Sequence, residues 1–244
     1  RCAAAIYDPK VGWRMLSGDE IGAILGHYIA TRFRSSCDNQ AFGNSIVSSS
    51  ILGKIAKKHG IEFHETLTGF KWLAKIPNLR FGYEEAIGYA VDATSVNDKD
   101  GISAALMLRQ CAAELKAEGK TIADFLDEIW QTYGYHGTLQ ISIRVPNISM
   151  VDGVLNGIRN LQPAILAGHK LSQFIDLAKP ANGLPGTNGL TLWYGENIRI
   201  IIRPSGTEAK LKCYIEVAGP FSEIDGVKST VAQLKVELSE ILKV

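Results

Sequence analysis

Residues Ile198–Val217 read IRIIIRPSGTEAKLKCYIEV. Ile198, Ile200 and Ile202 alternate with Arg199, Ile201 and Arg203, and Leu211, Cys213, Ile215 and Val217 alternate with Lys212, Tyr214 and Glu216. A period of two on both sides predicts a β-hairpin. Its connection, Arg203 to Lys210, is longer than the two to five residues that a hairpin needs, so a purpose beyond reversing the chain is expected of it.

The composition of that loop suggests which one. A phosphate dianion is held by a guanidinium that donates two bonds at once, by hydroxyl donors, and by backbone N–H groups exposed where side chains are small. Arg203, Ser205, Gly206 and Thr207 supply these groups, with Pro204 stiffening the entry. Ser, Gly and Thr are also ordinary turn residues, so a decorated turn satisfies the same letters. Arg199 stands about four strand residues from the loop mouth, roughly 13 Å at 3.3 Å each, and is expected to take no part in phosphate binding.

Working outward, Leu139, Ile141, Ile143 and Val145 alternate as a strand, a helix is predicted around Val151–Leu161, and several strands lead to a final helix. Ser222 and Asp225 read as the cap of that helix, with Val227, Val231, Leu234, Leu238 and Leu242 on one face. The first part of the chain has a different rhythm. Ser17–Glu20 forms a capping box ahead of an amphipathic helix through Ile21, Ile24, Leu25, Tyr28 and Ile29. A short strand is read at Ile46 and Val47, then a Ser-capped helix closed by Gly60, strands in IEFHET, LRFGY and YAVDA, a helix from Asp100 to Glu118, and one capped by Thr121 and Asp124. The fold expected is an α/β domain with a mostly parallel mixed sheet, followed by an α+β domain with an antiparallel sheet and two helices.

The bulk composition excludes several classes. The 244 residues are 46% hydrophobic and 21% charged, which describes a globular chain rather than a disordered one. Lys and Arg number 26 against 25 Asp and Glu, so no basic field invites nucleic acid or an anionic membrane, and neither is expected as a partner. The four cysteines, Cys2, Cys37, Cys111 and Cys213, show no metal-ligand or disulfide spacing, and no apolar run approaches a membrane span of about 20 residues. A cytoplasmic location is expected. His27, His59, His64, His136 and His169 form no cluster in sequence and are read as surface or packing residues. The chain opens RCAAAIYDPK without an initiator Met and already in strand-like sequence, and is expected to be a piece of a longer protein.

RPSGTE followed by Lys210, Lys212 and Tyr214 resembles the phosphate-binding loop in the last domain of the α-D-phosphohexomutases, the family of phosphoglucomutase, phosphomannomutase and phosphopentomutase, with Ala209 where the family usually has Pro. FGYEEAIGY, Phe81–Tyr89, resembles the sugar-binding loop of the family's third domain, although Ala86 and Ile87 depart from the Gly-Glu-x-Ser-Gly of many bacterial members and look more like the phosphopentomutase-related branch. TLTGFKWL resembles the segment whose Lys, here Lys71, lies near the active site, and VNDKDG the start of the following helix, with Asp100 read as its cap.

The resemblance implies three segments: residues 1–13 as the remnant of a preceding metal-loop domain, with Arg1 as the last residue of that loop; 14–135 as the sugar-binding third domain; and 136–244 as the phosphate-binding fourth domain. It implies sugar contacts from Glu84, Glu85, Gly88 and Lys71, and phosphate contacts from Arg203, Ser205, Gly206, Thr207 and Lys212. It implies Mg²⁺, with ligands upstream of residue 1, and a sugar 1,6-bisphosphate activator. The family's serine nucleophile has no counterpart here, so catalytic and metal-ligating residues are expected in missing N-terminal domains of the same chain. The expected activity of the whole is interconversion of the 1- and 6-phosphates of glucose or mannose through a phosphoserine, this piece alone being inactive. Phosphopentomutase-type activity on ribose or deoxyribose phosphates, and a non-catalytic sugar-phosphate-binding module, are the alternatives.

Overall fold

The computed structural model describes residues 1–33, 39–180, 184–206 and 208–242, and the side chain of residue 148 is not described. The chain divides into two compact units, Arg1–Gly134 and Tyr135–Val244.

In the first unit a short hairpin, β1 (Ala5–Asp8) and β2 (Gly12–Met15), precedes α1 (Gly18–Arg32), β3 (Ala41–Ser45), α2 (Ile51–His59), β4 (Glu62–Thr66), the short α3 (Phe70–Leu73), β5 (Leu79–Glu84), β6 (Gly88–Ala90), α4 (Gly101–Ala117) and α5 (Ile122–Tyr133). The sheet order is β4-β3-β5-β6, with β3 parallel to both β4 and β5, and β6 antiparallel to β5. β3 is central and buried at every residue, as a parallel strand covered on both faces should be. The strand expected at Ile46 and Val47 ends just before them, so that these two residues belong to the chain reversal entering α2.

Both capping boxes form: the Ser17 hydroxyl accepts from Glu20 N–H while the Glu20 carboxylate accepts from Ser17 N–H, and Thr121 and Asp124 do the same for α5. α1 is not the one-faced helix its spacing suggests, because β5, α2, α4 and α5 all pack against it, and its small residues are buried together with its large ones. At its first residue the contact is backbone to backbone: a Cβ on Gly18 would lie 1.8 Å from the carbonyl oxygen of Glu85. Neither partner is a side chain that could swing away. Gly18→Ala is therefore expected to cost about 2 kcal/mol through overpacking, read as a lower urea midpoint, and a midpoint equal to wild type would contradict this packing.

The second unit contains β7 (Tyr135–Arg144), α6 (Ile148–Asn160), β8 (Ile165–Leu166), β9 (His169–Asp176), β10 (Leu190–Tyr194), β11 (Ile198–Pro204), β12 (Lys210–Gly219) and α7 (Ile224–Ile241). The strands form one sheet in the order β7-β12-β11-β10-β9-β8, with every neighbouring pair antiparallel. Ile198, Ile200 and Ile202 of β11 and Leu211, Cys213, Ile215 and Val217 of β12 point to one face, where Val151, Leu155 and Ile158 of α6 and Val227, Val231, Leu234 and Leu238 of α7 cover them. Two helices on one face of an antiparallel sheet close this core.

Two expectations are corrected here. Ser222 and Asp225 do not cap α7: Phe221–Glu223 is a 3₁₀ turn, and the helix begins at Ile224 without a side-chain cap. The hairpin connection is also shorter than its letters suggest, since Arg203 pairs with Lys212 and Pro204 with Leu211. Of the described residues in this connection, only 205, 206, 208 and 209 lie outside the strands. That length is ordinary, so the case for a function rests on the loop's chemistry alone.

Candidate functional site: a cationic hairpin mouth and an acidic loop

At the open end of the β11–β12 hairpin, Arg203 stands directly opposite Lys212, and Lys212 opposite Ser142 of β7, while Lys210 stands opposite Arg144. Directly opposed residues share a face, as do residues two apart on one strand, so Arg144, Arg203, Lys210 and Lys212 crowd one face at one end of the sheet. Like charges set opposite one another cost a few tenths to about 1 kcal/mol per pair. Glu208 offsets part of this by pairing with Lys210, which with Arg144 and Lys212 nearby holds its carboxyl below the usual carboxylate range. The excess positive charge is local, on a chain of near-zero net charge. Such a face is complementary to an anion.

The backbone of the loop is partly committed already. Ser205 N–H donates to the Lys210 carbonyl at 2.8 Å, closing the turn, so Ser205 has its half-buried hydroxyl to offer rather than its amide. Gly206 is exposed, and a Cβ there would meet nothing within 4 Å, leaving its backbone open to approach from solvent. Thr207 lies outside the described residues. Sequence reasoning missed Arg144 and did not assign Lys210 to the phosphate. Arg144 becomes a neighbour only through the β7–β12 register, and the positive charge of Lys210 was visible in the loop itself.

Arg199 lies on the same sheet face but is buried in a separate charge network. Its Nη2 is 2.7 Å from Glu216 Oε2, and Glu216 Oε1 is 2.9 Å from His136 Nδ1; all three residues are buried. The Arg199 guanidinium also lies over the Trp193 ring, 5.9 Å from its centroid.

In the first unit the acidic loop follows β5. Glu84 and Glu85 are both half-buried but face different partners: Glu84 is the last residue of β5, and Glu85 opens the turn that follows it. One oxygen of Glu84 accepts from Gly69 N–H, tying it to the segment that carries Phe70 and Lys71. Lys71 is exposed, with its Nζ 5.6 Å from the Trp72 ring centroid. Gly88 is buried where a Cβ would come within 2.9 Å of the Phe70 ring and 3.1 Å of the Lys99 stem, so a larger residue would have to displace the Phe70 ring. Ile87 adopts φ 56°, an uncommon region for a β-branched residue and a mark of strain in this loop. Arg1 donates through its guanidinium to the Ala86 carbonyl, and Cys2 N–H donates to the Ile87 carbonyl.

Glu85 turns inward. Its Oε2 lies 3.1 Å from Ser48 Oγ and 3.4 Å from Ser45 Oγ, and its N–H donates to Ser48 Oγ at 3.0 Å. Burial, reinforced by the charges of Asp19 and Glu84, raises its carboxyl above the ordinary glutamate range, with the Ser48 hydrogen bond opposing the rise. The sugar contact that the resemblance implies for Glu85 thus meets a geometry in which Glu85 is held by protein hydroxyls. Asp100 is the N-cap of α4, accepting from Ile102 and Ser103 N–H.

Two histidines come together where the sequence suggests none do. The Tyr133 hydroxyl lies 3.0 Å from His27 Nδ1 and 3.0 Å from His59 Nε2, fastening α5 to α1 and α2. Burial, with His59 and Lys58 adding, pushes His27 down to about 4. This is a packing role. Among the described residues no group of three or more His, Cys, Asp or Glu converges as a metal site would, and no helix is long and apolar enough to cross a membrane.

Comparison with known proteins bears on the family of the two units. Residues 17–133 match the family model for the α/β/α domain III of phosphoglucomutase/phosphomannomutase, and residues 181–234 match the model for its C-terminal domain. A Haemophilus influenzae protein described as a probable phosphomannomutase is 42% identical over 90% of this chain and 44% of its own length. Mouse phosphopentomutase is 30% identical over 99% of this chain and 43% of its own. The structure of parafusin, a phosphoglucomutase from Paramecium, superimposes with a TM-score of 0.67 at 21% identity, covering 93% of this chain and 42% of that one. The chain thus spans less than half the length of these relatives. With two consecutive domain models matched in order and the fold shared, the chain belongs to the phosphoglucomutase/phosphomannomutase family, of which it carries domain III and the C-terminal domain.

Proposed function

We propose that this chain is the sugar- and phosphate-binding half of a phosphohexomutase that interconverts the 1- and 6-phosphates of glucose or mannose by phosphoserine-mediated transfer. The observation that carries the reading is the cluster of Arg144, Arg203, Lys210 and Lys212 around RPSGTE, with the carboxylate of Glu208 paired to Lys210. In such a reaction positioning and charge neutralisation carry most of the barrier. Arg203, Lys212 and the Ser205 hydroxyl would hold the phosphate that is not being transferred, with Gly206 admitting it to the backbone and Thr207 completing the loop.

Residues 14–135 are proposed as the sugar-binding domain and 136–244 as the phosphate-binding domain. Glu84 would accept from ring hydroxyls through the oxygen that Gly69 leaves free, with Gly88 keeping the loop close to Phe70 and Lys71 at its rim. A mutase must accept its substrate with either end leading, and a carboxylate oxygen can accept from hydroxyls in either sense. Mg²⁺ and a sugar 1,6-bisphosphate activator belong to this reaction. The described residues do not fit a Mg²⁺ site, and the ion is assigned to missing N-terminal domains of the same chain, with the serine. Residues 1–13 are assigned to the end of that preceding region. Tyr7, Trp13 and Met15, on one face of the β1–β2 hairpin, are 58%, 75% and 62% exposed.

Ala86–Ile87 and the mouse relative favour a second reading, a phosphopentomutase acting on ribose or deoxyribose phosphates. Calorimetric titration with glucose 1-phosphate and ribose 1-phosphate separates the two. Glu84→Gln exchanges one acceptor oxygen for a donor and is expected to weaken binding of the preferred sugar phosphate about tenfold while sparing inorganic phosphate. Equal affinities for wild type and variant would remove Glu84 from the site.

A further inference from the structure

Ser45, Ser48 and Ser49 are buried polar residues in and after the central strand β3, next to the acidic loop, and the binding roles above use none of them. Their hydrogen bonds form a directed set. Ser48 has one proton and two lone pairs. Its hydroxyl meets Glu85 Oε2, which as a carboxylate only accepts, so the Ser48 proton goes there. The Ser48 oxygen then accepts from Glu85 N–H at 3.0 Å and from the Ser45 hydroxyl at 2.9 Å. Ser48 thus grips both ends of Glu85, its amide and its carboxylate.

The surroundings reinforce that grip. The carbonyl side of Glu85 is pressed against the start of α1 at Gly18. Asp19 Oδ1 accepts from Ser49 N–H at 2.8 Å and from the Tyr83 hydroxyl at 3.0 Å, and Asn44 Nδ2 donates to the Ser49 carbonyl at 2.7 Å, so the 45–49 segment is itself fixed. The Tyr89 hydroxyl donates to the Gly18 carbonyl at 3.1 Å on the far side of the loop. The peptide between Glu84 and Glu85 therefore has little freedom, and the direction of Glu84 follows from it.

We infer that Ser48, backed by Ser45, is a positioning residue of the sugar loop: by holding the amide and carboxylate of Glu85 it sets the direction in which Glu84 meets the ring hydroxyls of a sugar phosphate. The inference rests on the sugar-loop reading of Glu84. It gives Glu85 a structural office in the loop and assigns ring contact to Glu84.

The test uses the ¹⁵N-labelled 244-residue chain, titrated separately with glucose 1-phosphate, read at the amides of 84–88, and with inorganic phosphate, read at the amides of Ser205, Gly206 and Lys212. Ser48→Ala is expected to weaken glucose 1-phosphate about fivefold, the effect of one lost charge-assisted bond acting at one remove, with inorganic phosphate unchanged. Unchanged glucose 1-phosphate affinity, or an equal loss for both ligands, overturns the inference, since general loosening would not choose the sugar. If Glu84→Gln weakens glucose 1-phosphate while Ser48→Ala does not, only the positioning role falls. If Glu84→Gln has no effect, the sugar-loop reading falls and the inference with it. Should Ser48→Ala fail to fold, Ser45→Ala removes the donor behind Ser48, with its longer contact to Glu85 Oε2, and is expected to give about a twofold loss with the same selectivity; no loss there overturns the role.

Discussion

Arg203→Ala lowers the affinity of the chain for inorganic phosphate by on the order of a hundredfold, the loss of a bidentate charge-assisted contact of about 1.5–3 kcal/mol per bond. Arg203 is held at the end of β11, opposite Lys212, and is half-buried, so its guanidinium is confined near the mouth before any ligand arrives. Lys is a point charge on a flexible stem, and Arg203→Lys should recover only part of the loss. Calorimetric titration with phosphate at low ionic strength measures it, and the affinity should fall with added salt because the site works through charge. A variant binding within threefold of wild type would mean that the cationic cluster holds its anion without Arg203. Lys235→Ala, on the exposed face of α7, is the control for removal of a positive charge and should leave the affinity unchanged.

Arg199→Ala, by contrast, acts on stability. It leaves Glu216 buried with His136 but without its guanidinium partner, and breaking a buried pair from one side costs about 3–5 kcal/mol. The cation–π contact with Trp193 is lost with it. The expected result is a large drop in the urea midpoint of the unit spanning Tyr135–Val244. A loss below about 1 kcal/mol would show that the pair is effectively solvated. Replacing both partners by apolar residues, Arg199→Met with Glu216→Leu, should recover only part of the loss, because no unpaired carboxylate then remains but the buried His136 Nδ1 loses its bond to Glu216. Arg199→Ala is consequently a poor control for the phosphate site, although the strand distance alone makes it look like one.

What could be read from the sequence was what local physics decides. The period-two alternation of Ile198–Val217 places β11 and β12, and the Ser17–Glu20 and Thr121–Asp124 boxes set the first residues of α1 and α5, because each depends on groups within a few positions. What failed depends on distant contacts. The true length of the phosphate loop follows from ladder pairs that continue past the apolar residues to Pro204 and Leu211. Arg144 joins the cluster through the register of β7 on β12, which no motif encodes. Glu84 and Glu85 diverge where β5 passes into its turn, and the partners of Glu85 lie at Ser45 and Ser48, in a segment that reads locally as the end of a strand and a helix start. α1 was misread as one-faced because periodicity reports where large apolar residues fall, not how many neighbours surround a helix.

An amide-shift map of the ¹⁵N-labelled chain titrated with glucose 1-phosphate addresses the binding of a sugar phosphate most directly. Saturable shifts concentrated at Gly69–Lys71 and Glu84–Gly88 in the first unit and at Ser205–Lys212 in the second are the predicted result. Saturable shifts centred elsewhere, with the amides of Glu84, Gly88, Gly206 and Lys212 silent, would contradict it.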